Sequence, residues 1–296
     1  MSRPARLGVG VVSAGRVGAV MGAALARAGH TVVAASGVSR DSIRRAEELL
    51  PGVPLLPPDE VVSKADLVLL ALPDDALTGM VRGLAATGSL RPGQIVVHTS
   101  GAYGIEVLQP AADQGALPLA LHPVMTFTGR VEDLQRLVAC SIGITAADGD
   151  EAAWNVGEAL VVEMGSEPVR VPSASRPAYH TALAHAANHL MTLVADSADL
   201  LRQSGVATPE RLLGPLLSAA LDNALRHGDR ALTGPVARGD AGTVQKHLDV
   251  LRDKAPELLP GYRELARRTA ARAVGSGLLR GDLAPDVFQA IDEERE

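Results

Sequence analysis

Two segments place an imidazole directly after a short apolar run: His98 in VVHTS, followed by Thr99 and Ser100, and His122 in LALHP. A third segment, PAYHTALAHAANHL, sets His180, His185, Asn188 and His189 on a stretch with helical periodicity. Imidazole exchanges a proton near neutral pH, and hydroxyl or amide groups can orient an oxygen that is gaining charge. At about 100° per residue, Asn188 lies about 80° from His180 and about 60° from His185, so His180 and Asn188 can project together. A polar pair on an otherwise apolar helix is costly to bury without partners. These residues are therefore candidate catalytic groups: His180 or His185 to supply a proton, Ser100 and Asn188 to hold a carbonyl oxygen, and His122 to touch substrate. The bland alternative is that they tie turns and domain contacts together by hydrogen bonds. His185 and His189 at i, i+4 echo a zinc-binding helix, but Ala186 stands where a glutamate base is needed. No third ligand accompanies them, and no metal site is assigned.

Convergence of these groups requires a scaffold, and the chain supplies one. From Leu7 to about Val171, short apolar runs alternate with amphipathic segments: LGVGVV, TVVAAS, VPLL, ADLVLLAL, QIVVHTS, LPLALHP, ACSIGIT, a helical DEAAWNVGEALVVEMG, and PVRVP. The runs are apolar on every residue rather than on alternate ones, which suits strands covered on both faces. This predicts an α/β fold with a doubly wound, mainly parallel sheet over residues 1–172, followed by an all-α domain over 173–296. In an open sheet of this kind the ligand crevice lies beyond the carboxyl ends of the strands, where His98, Ser100 and His122 stand. In the helical half, TGPVARGDAGTVQKHL reads as a loop carrying Arg238, Asp240, Thr243, Lys246 and His247. Arg238 could clasp a carboxylate in bidentate fashion, and Lys246 is the lysine best placed in that half to act as an acid.

The first run leads into GVGVVSAGRVGAVMG, a strand, tight turn and helix start in which Ser13 replaces the first glycine of a G-x-G-x-x-G pattern. Backbone amides of Ala14, Gly15, Arg16, Val17 and Gly18, together with the helix dipole, would face a pyrophosphate, and the Ser13 hydroxyl could donate to phosphate. Gly15 lets the phosphates approach, Gly18 lets the helix sit close to the strand, and Ser13 fits the turn if its φ stays negative. The second strand ends in AASGVSR with no acidic residue before Asp41 to accept from a ribose 2′-hydroxyl. Ser36, Ser39 and Arg40 instead suit a 2′-phosphate, so the expected cofactor is NADP.

Composition removes other classes. Lys+Arg 28 against Asp+Glu 34 gives a formal net charge of −6, and aromatic residues make up 2%, so neither a cationic footprint nor stacking platforms exist for nucleic acid. The single cysteine, Cys140, lies in LVACSIGIT and reads as an inert strand residue. No apolar run is long enough to span a membrane, and MSRPARLGVGVV lacks a signal-peptide pattern, so a cytoplasmic protein is expected.

The cradle, LVLLALPDDAL, VVHTSGAYG, LHPVMTF and PAYHTALAHAANHL together resemble the Rossmann-like oxidoreductases with a helical C-terminal half. That superfamily includes 6-phosphogluconate dehydrogenase, β-hydroxyacid dehydrogenases, pyrroline-5-carboxylate reductase and ketopantoate reductase. The chain resembles most a bacterial branch in which a Rossmann-like domain precedes a helical domain of unknown function. The resemblance implies that Leu72 and Pro73 lie along the nicotinamide ribose and that Thr99 and Ser100 hold nicotinamide or substrate. It places His185 and Asn188 where the β-hydroxyacid enzymes carry a Lys-x-x-Asn pair. It further implies NADPH-linked hydride transfer with a small polar metabolite, of 2-oxo or 3-hydroxy acid type, by a homodimer. Two alternatives stand beside this reading: imine reduction, which needs no strong acid, and a non-catalytic NADP-binding sensor.

Overall fold

A computed structural model describes residues 6–293. The apolar runs form β1 (Gly8–Val12), β2 (Thr31–Ala35), β3 (Leu67–Leu70), β4 (Ile95–His98), β5 (Leu117–Pro123), β6 (Ser141–Thr145) and β7 (Glu167–Arg170). Between them lie α1 (Arg16–Arg27), α2 (Arg40–Leu49), α3 (Pro58–Lys64), α4 (Asp74–Ala86), α5 (Gln109–Ala112), α6 (Asp133–Val138) and α7 (Glu151–Glu163). The strands pair in the order β2-β1-β3-β4-β5-β6-β7, parallel except where β6 runs against β5. Alternation along each strand sends Val9, Val11, Leu67, Leu69, Leu119 and Leu121 to one core, while Val12, Val68, Leu70 and Val96 enter the other. Both faces of the sheet are therefore buried.

The expected strand VPLL contributes only an isolated bridge between Ala35 and Leu55. Pro54 has no N–H to give a ladder and uses its carbonyl instead, accepting from the Ala35 amide at 3.0 Å. Because β1 is flanked by β2 on one side and β3 on the other, successive connections leave it in opposite directions. A crevice opens at the carboxyl ends of β1 and β3, the usual seat of ligands in such sheets.

The chain divides into two compact units, Met1–His185 and Ala186–Glu296. Helix α8 (Arg176–Gln203) spans the division: its first turns belong to the first unit, and the remainder to the second. The second unit adds α9 (Glu210–His227), α10 (Pro235–Arg238), α11 (Ala241–Lys254), α12 (Leu259–Gly275) and α13 (Ala284–Asp292). Its core gathers Val244 and Leu248 of α11, Ala266, Ala270 and Ala273 of α12, and Val287 and Ile291 of α13. The segment expected as a loop from Thr233 is largely helical. Asp240 caps α11 by accepting from the Thr243 amide at 3.0 Å, which places Lys246 and His247 on a regular helix rather than on a mobile flap. Among the described residues no helix is long and apolar enough to cross a membrane.

Candidate functional site

The turn after β1 is held from the neighbouring strand end. The Ser13 amide donates to Ser36 Oγ at 2.9 Å, and the Ala14 amide donates to the Ser36 carbonyl at 2.7 Å. Ser13 adopts φ +75°, so the expectation of a negative φ is corrected: serine takes the left-handed conformation that the glycine of this turn usually supplies. Among the described residues no other non-glycine has a positive φ, and the conformation costs about 1–2 kcal/mol relative to glycine. The turn keeps its geometry because the two bonds to Ser36 dictate it.

The two glycines that follow have different reasons to be there. A Cβ on Gly18 would lie 2.2 Å from the Ser13 carbonyl oxygen and 2.9 Å from Ala71 Cβ, so close packing excludes it. A Cβ on Gly15 would meet only Ser13 Oγ, at 3.6 Å, so the protein itself leaves that space open. Gly15 is the N-cap of α1 and makes no side-chain cap bond, and the first helical turn contains no acidic residue. Unsatisfied amides and the positive helix end therefore face open space, an arrangement that fits a pyrophosphate. Ala14 is buried beneath the turn and Arg16 is exposed above it.

A cleft of about 400 Å³ in the first unit begins at this turn. It collects Ser13, Gly15, Arg16 and Val17 from the cradle, Leu72, Pro73 and Asp74 after β3, and Thr99, Ser100 and Gly101 after β4. His122 at the end of β5, Met125, Phe127 and His180 of α8 complete it. Residues proposed from sequence as a cradle, a ribose contact, a hydroxyl pair and two imidazoles thus share one cavity.

His185 and Asn188 do not join them. Both are exposed on α8; His185 lies about 140° around the helix from His180, and Asn188 stands about 12 Å further along its axis. Arg238 and Lys246 are exposed side chains of the second unit, on α10 and α11. Ser36 is buried under the cradle, Ser39 caps α2 by accepting from the Ser42 amide at 3.1 Å, and Arg40 is exposed at the first position of that helix.

Hydrogen bonding assigns separate tasks to the polar groups of the cleft. His98 is fully buried; its Nδ1 accepts from the Ser100 amide at 3.2 Å, so Nε2 carries the proton and donates to the Gly104 carbonyl at 2.9 Å. Burial, with the cation of Arg176 acting in the same sense, pulls its titration down to about 4. It is a neutral brace for the loop. Ser100 Oγ accepts from the amides of Ala102 and Tyr103, both at 3.2 Å, which leaves its own O–H to donate. His122 shares a 2.9 Å hydrogen bond with Tyr179 through Nδ1, and burial, then Arg176 and His180, hold it down to about 4. The rings of His122 and His180 stand edge to face, 5.9 Å apart.

Several residues in or behind this site were not singled out from the sequence. Arg176 is fully buried, Tyr179 reaches His122, and Arg45 approaches the Gly129 backbone, which also packs against Arg16. Arg16, Arg40 and Arg45 make no ion pair among the described residues, whereas Arg44 pairs with Asp41. Arg16 lines the cleft and Arg45 meets it at Gly129, so two uncompensated cations stand at this edge of the site, and a wider count of arginines around SRDSIRR would have pointed to Arg45.

Comparison with known proteins gives this geometry a context. Residues 1–123 match the Rossmann-like domain model, and residues 140–269 match a domain of unknown function, DUF2520. The chain thus carries a Rossmann-like N-terminal domain followed by a DUF2520 domain. Bacteroides fragilis BF3122, assigned as an NADP oxidoreductase, superposes at TM-score 0.72 with 22% identity, covering 90% of this chain and 98% of that one. The Thermotoga maritima protein TM1727 gives 0.65 at 20% identity, covering 91% and 99%. A reductive aminase from Aspergillus terreus, solved with NADPH4, cyclohexanone and allyl amine, gives 0.64 at 16% identity, covering 96% and 99%. At these identities the likeness speaks for the fold that the DUF2520 protein shares with oxidoreductases. No curated protein gives a significant match.

Proposed function

We propose that this DUF2520 protein is an NADP-dependent oxidoreductase acting on a small polar metabolite, by preference a 2-oxo or 3-hydroxy acid. One observation carries the reading: an uncapped helix N-terminus with an open Gly15 shares a cavity with Ser100, His122 and His180. The nicotinamide, when bound, supplies or accepts the hydride. The amides at the start of α1 would seat the pyrophosphate, Leu72 and Pro73 would flank the ribose, and Thr99 would face the nicotinamide. Ser100 and His122 would hold the substrate oxygen, and His180 is placed to deliver the proton.

The choice of NADP over NAD rests on charge. No carboxylate follows β2 before Asp41, Arg40 opens the helix after that strand, and Arg16, Arg40 and Arg45 make no ion pair among the described residues. A charge-assisted bond to phosphate contributes about 1.5–3 kcal/mol, so Arg40→Ala should weaken NADPH binding by roughly 10- to 100-fold while leaving NADH unchanged. Calorimetry with both nucleotides measures this; equal losses for the two would remove Arg40 from the 2′-phosphate. Turnover of a panel of 2-oxo acids and cyclic imines with NADPH then separates an enzyme from a sensor. Imine reduction is a second reading, favoured by the sequence departure that sets His185 where related enzymes carry a lysine, since an iminium brings its own proton and needs no strong acid.

The related proposal of a homodimer draws on α9. Only Leu213 of its eighteen residues is buried, while Leu212, Leu216, Leu221 and Leu225 are exposed. Apolar surface of this kind on one helix suits contact with a second copy. Light scattering of the intact protein should give twice the 30.6 kDa chain mass, and a monomer at micromolar concentration would remove the proposal.

A further inference from the structure

Behind the cleft wall lies a charge with no counter-ion among the described residues. Arg176 is fully buried, yet its partners are all neutral: Nε donates to Thr145 Oγ1 at 2.8 Å, and Nη1 donates to the Ser100 carbonyl at 3.3 Å. Nη2 donates to the carbonyls of Gly143 at 2.9 Å and Ala120 at 3.3 Å. Carbonyl dipoles satisfy the donors but leave the full positive charge in place, in surroundings where water cannot screen it. The guanidinium stands 5.5 Å from the centroid of the Tyr179 ring. The Tyr179 hydroxyl in turn meets His122 Nδ1 at 2.9 Å, and the far side of that imidazole faces the cleft. A Cβ on Gly101 would come within 2.8 Å of His122 Nε2 and 2.6 Å of His180 Cδ2.

The direction of the Tyr179–His122 bond follows from counting acceptors. If Nδ1 carried the proton and donated, the phenol hydrogen would find no acceptor among the described residues and would be left to solvent, whereas a donating phenol satisfies both groups within the protein. The phenol therefore donates, and the nearby cation makes it a better donor. We propose that Tyr179 and Arg176 are positioning residues that fix His122 as the Nε2–H tautomer, so that His122 presents an N–H to the carbonyl oxygen of an anionic or neutral substrate. Together with the free O–H of Ser100, this makes a wall of donors with a cation behind it, complementary to an oxygen that becomes negative as hydride arrives at carbon. A protonated imine would bring positive charge against the same wall, so the arrangement selects the carbonyl reading over the imine one. The inference rests on the cleft being the substrate site.

The groups around His122 support a neutral ring. Arg176, Tyr179 and His180 face it from α8, β4 offers only the equally neutral His98, and β6 carries no ionisable side chain. Asp74 lines the same cleft, but its charge acts on His98, and the charges that act on His122 are those of Arg176 and His180.

Long-range proton–nitrogen NMR on the intact, nitrogen-15-labelled protein reads this directly, without cofactor. The wild-type His122 should show a single Nε2–H tautomer that persists at mildly acidic pH. Tyr179→Phe should lose that single tautomer, and Arg176→Gln should move the His122 titration midpoint upward. With NADP present, the carbonyl probe oxamate should shift the Nε2–H signal and pyrrolidinium should not. An Nδ1–H tautomer in the wild type, an unchanged tautomer in Tyr179→Phe, or a response to pyrrolidinium alone would overturn the proposal. The wild-type spectrum decides the tautomer even where a variant does not fold. It is also independent of calorimetry with NADPH, so failure of the cofactor reading and failure of this one are told apart.

Discussion

Gly18→Ala is expected to destabilise the first unit by about 3 kcal/mol or more, whereas Gly15→Ala leaves stability within about 1 kcal/mol and removes dinucleotide binding. The two glycines are three residues apart in one motif but answer to different constraints. At Gly18 the added methyl would sit 2.2 Å from the Ser13 carbonyl, and Ser13 cannot give way. Its left-handed backbone is pinned by the bond from its amide to Ser36 Oγ, and its neighbour Ala14 is pinned to the Ser36 carbonyl. Relief would have to come from moving α1 off the sheet, which opens the core around Val9, Val11, Val20 and Met21. At Gly15 the methyl enters open space in the cleft, where a pyrophosphate would lie against the backbone. A loss of about 100-fold in NADPH affinity, roughly 2.7 kcal/mol, is expected. Thermal denaturation and calorimetry on the two variants check the contrast. Normal NADPH binding by folded Gly15→Ala would show that the open space serves something else.

Asp133→Ala is expected to cost about 3–5 kcal/mol, read as a lowered urea midpoint with an unchanged slope. The carboxylate is fully buried and accepts from the amides of Thr128 and Gly129, each at 2.7 Å, and from Thr128 Oγ1 at 3.1 Å. Arg136 adds an ion pair at 3.3 Å. Truncation would leave the buried Gly129 amide and the partly buried Thr128 amide without acceptors and a guanidinium without its partner, in a segment that is otherwise a loop. That segment carries Phe127 into the cleft and sets Gly129 against Arg16 and Arg45. A fall in NADPH affinity should therefore accompany the fall in stability. Asp133→Asn retains one acceptor oxygen and should lose about half as much. If Asp133→Ala unfolded at the wild-type urea concentration, the loop would owe its shape to something other than this carboxylate.

Much of the scaffold was legible because its signals are local. Strands buried on both faces declare themselves as runs without polar interruption, and six of the seven runs before the helical DEAAWNVGEALVVEMG proved to be strands. The exception, VPLL, failed at Pro54, where an apolar run lacks the donor that a ladder needs. The cradle was readable for the same reason, since turn, helix start and both glycines lie within a few residues of one another. Less legible was the part of the site borne on α8. Helical angles predict which residues share a flank, but they do not say how far along the axis the cleft extends. His180 lines it, whereas Asn188, about 12 Å further on, does not lie in the first unit.

By itself, then, the amino-acid order determined the α/β alternation, the anion-binding turn, the missing acid after the second strand and the imidazoles at strand ends. Only the tertiary structure decided that Ser13 would accept a left-handed backbone, that Arg16 and Arg45 would meet at Gly129, and that Arg176 would be buried with no counter-ion among the described residues. The physical reason is one of range. A run of apolar residues reports its own burial, but a polar side chain is defined by its partners, and those of Arg176 lie 31 to 76 residues away in the chain. Nothing in SASRPAYH announces them, because the carbonyls that receive a buried guanidinium come together only when β5, β6 and the loop after β4 are already in place.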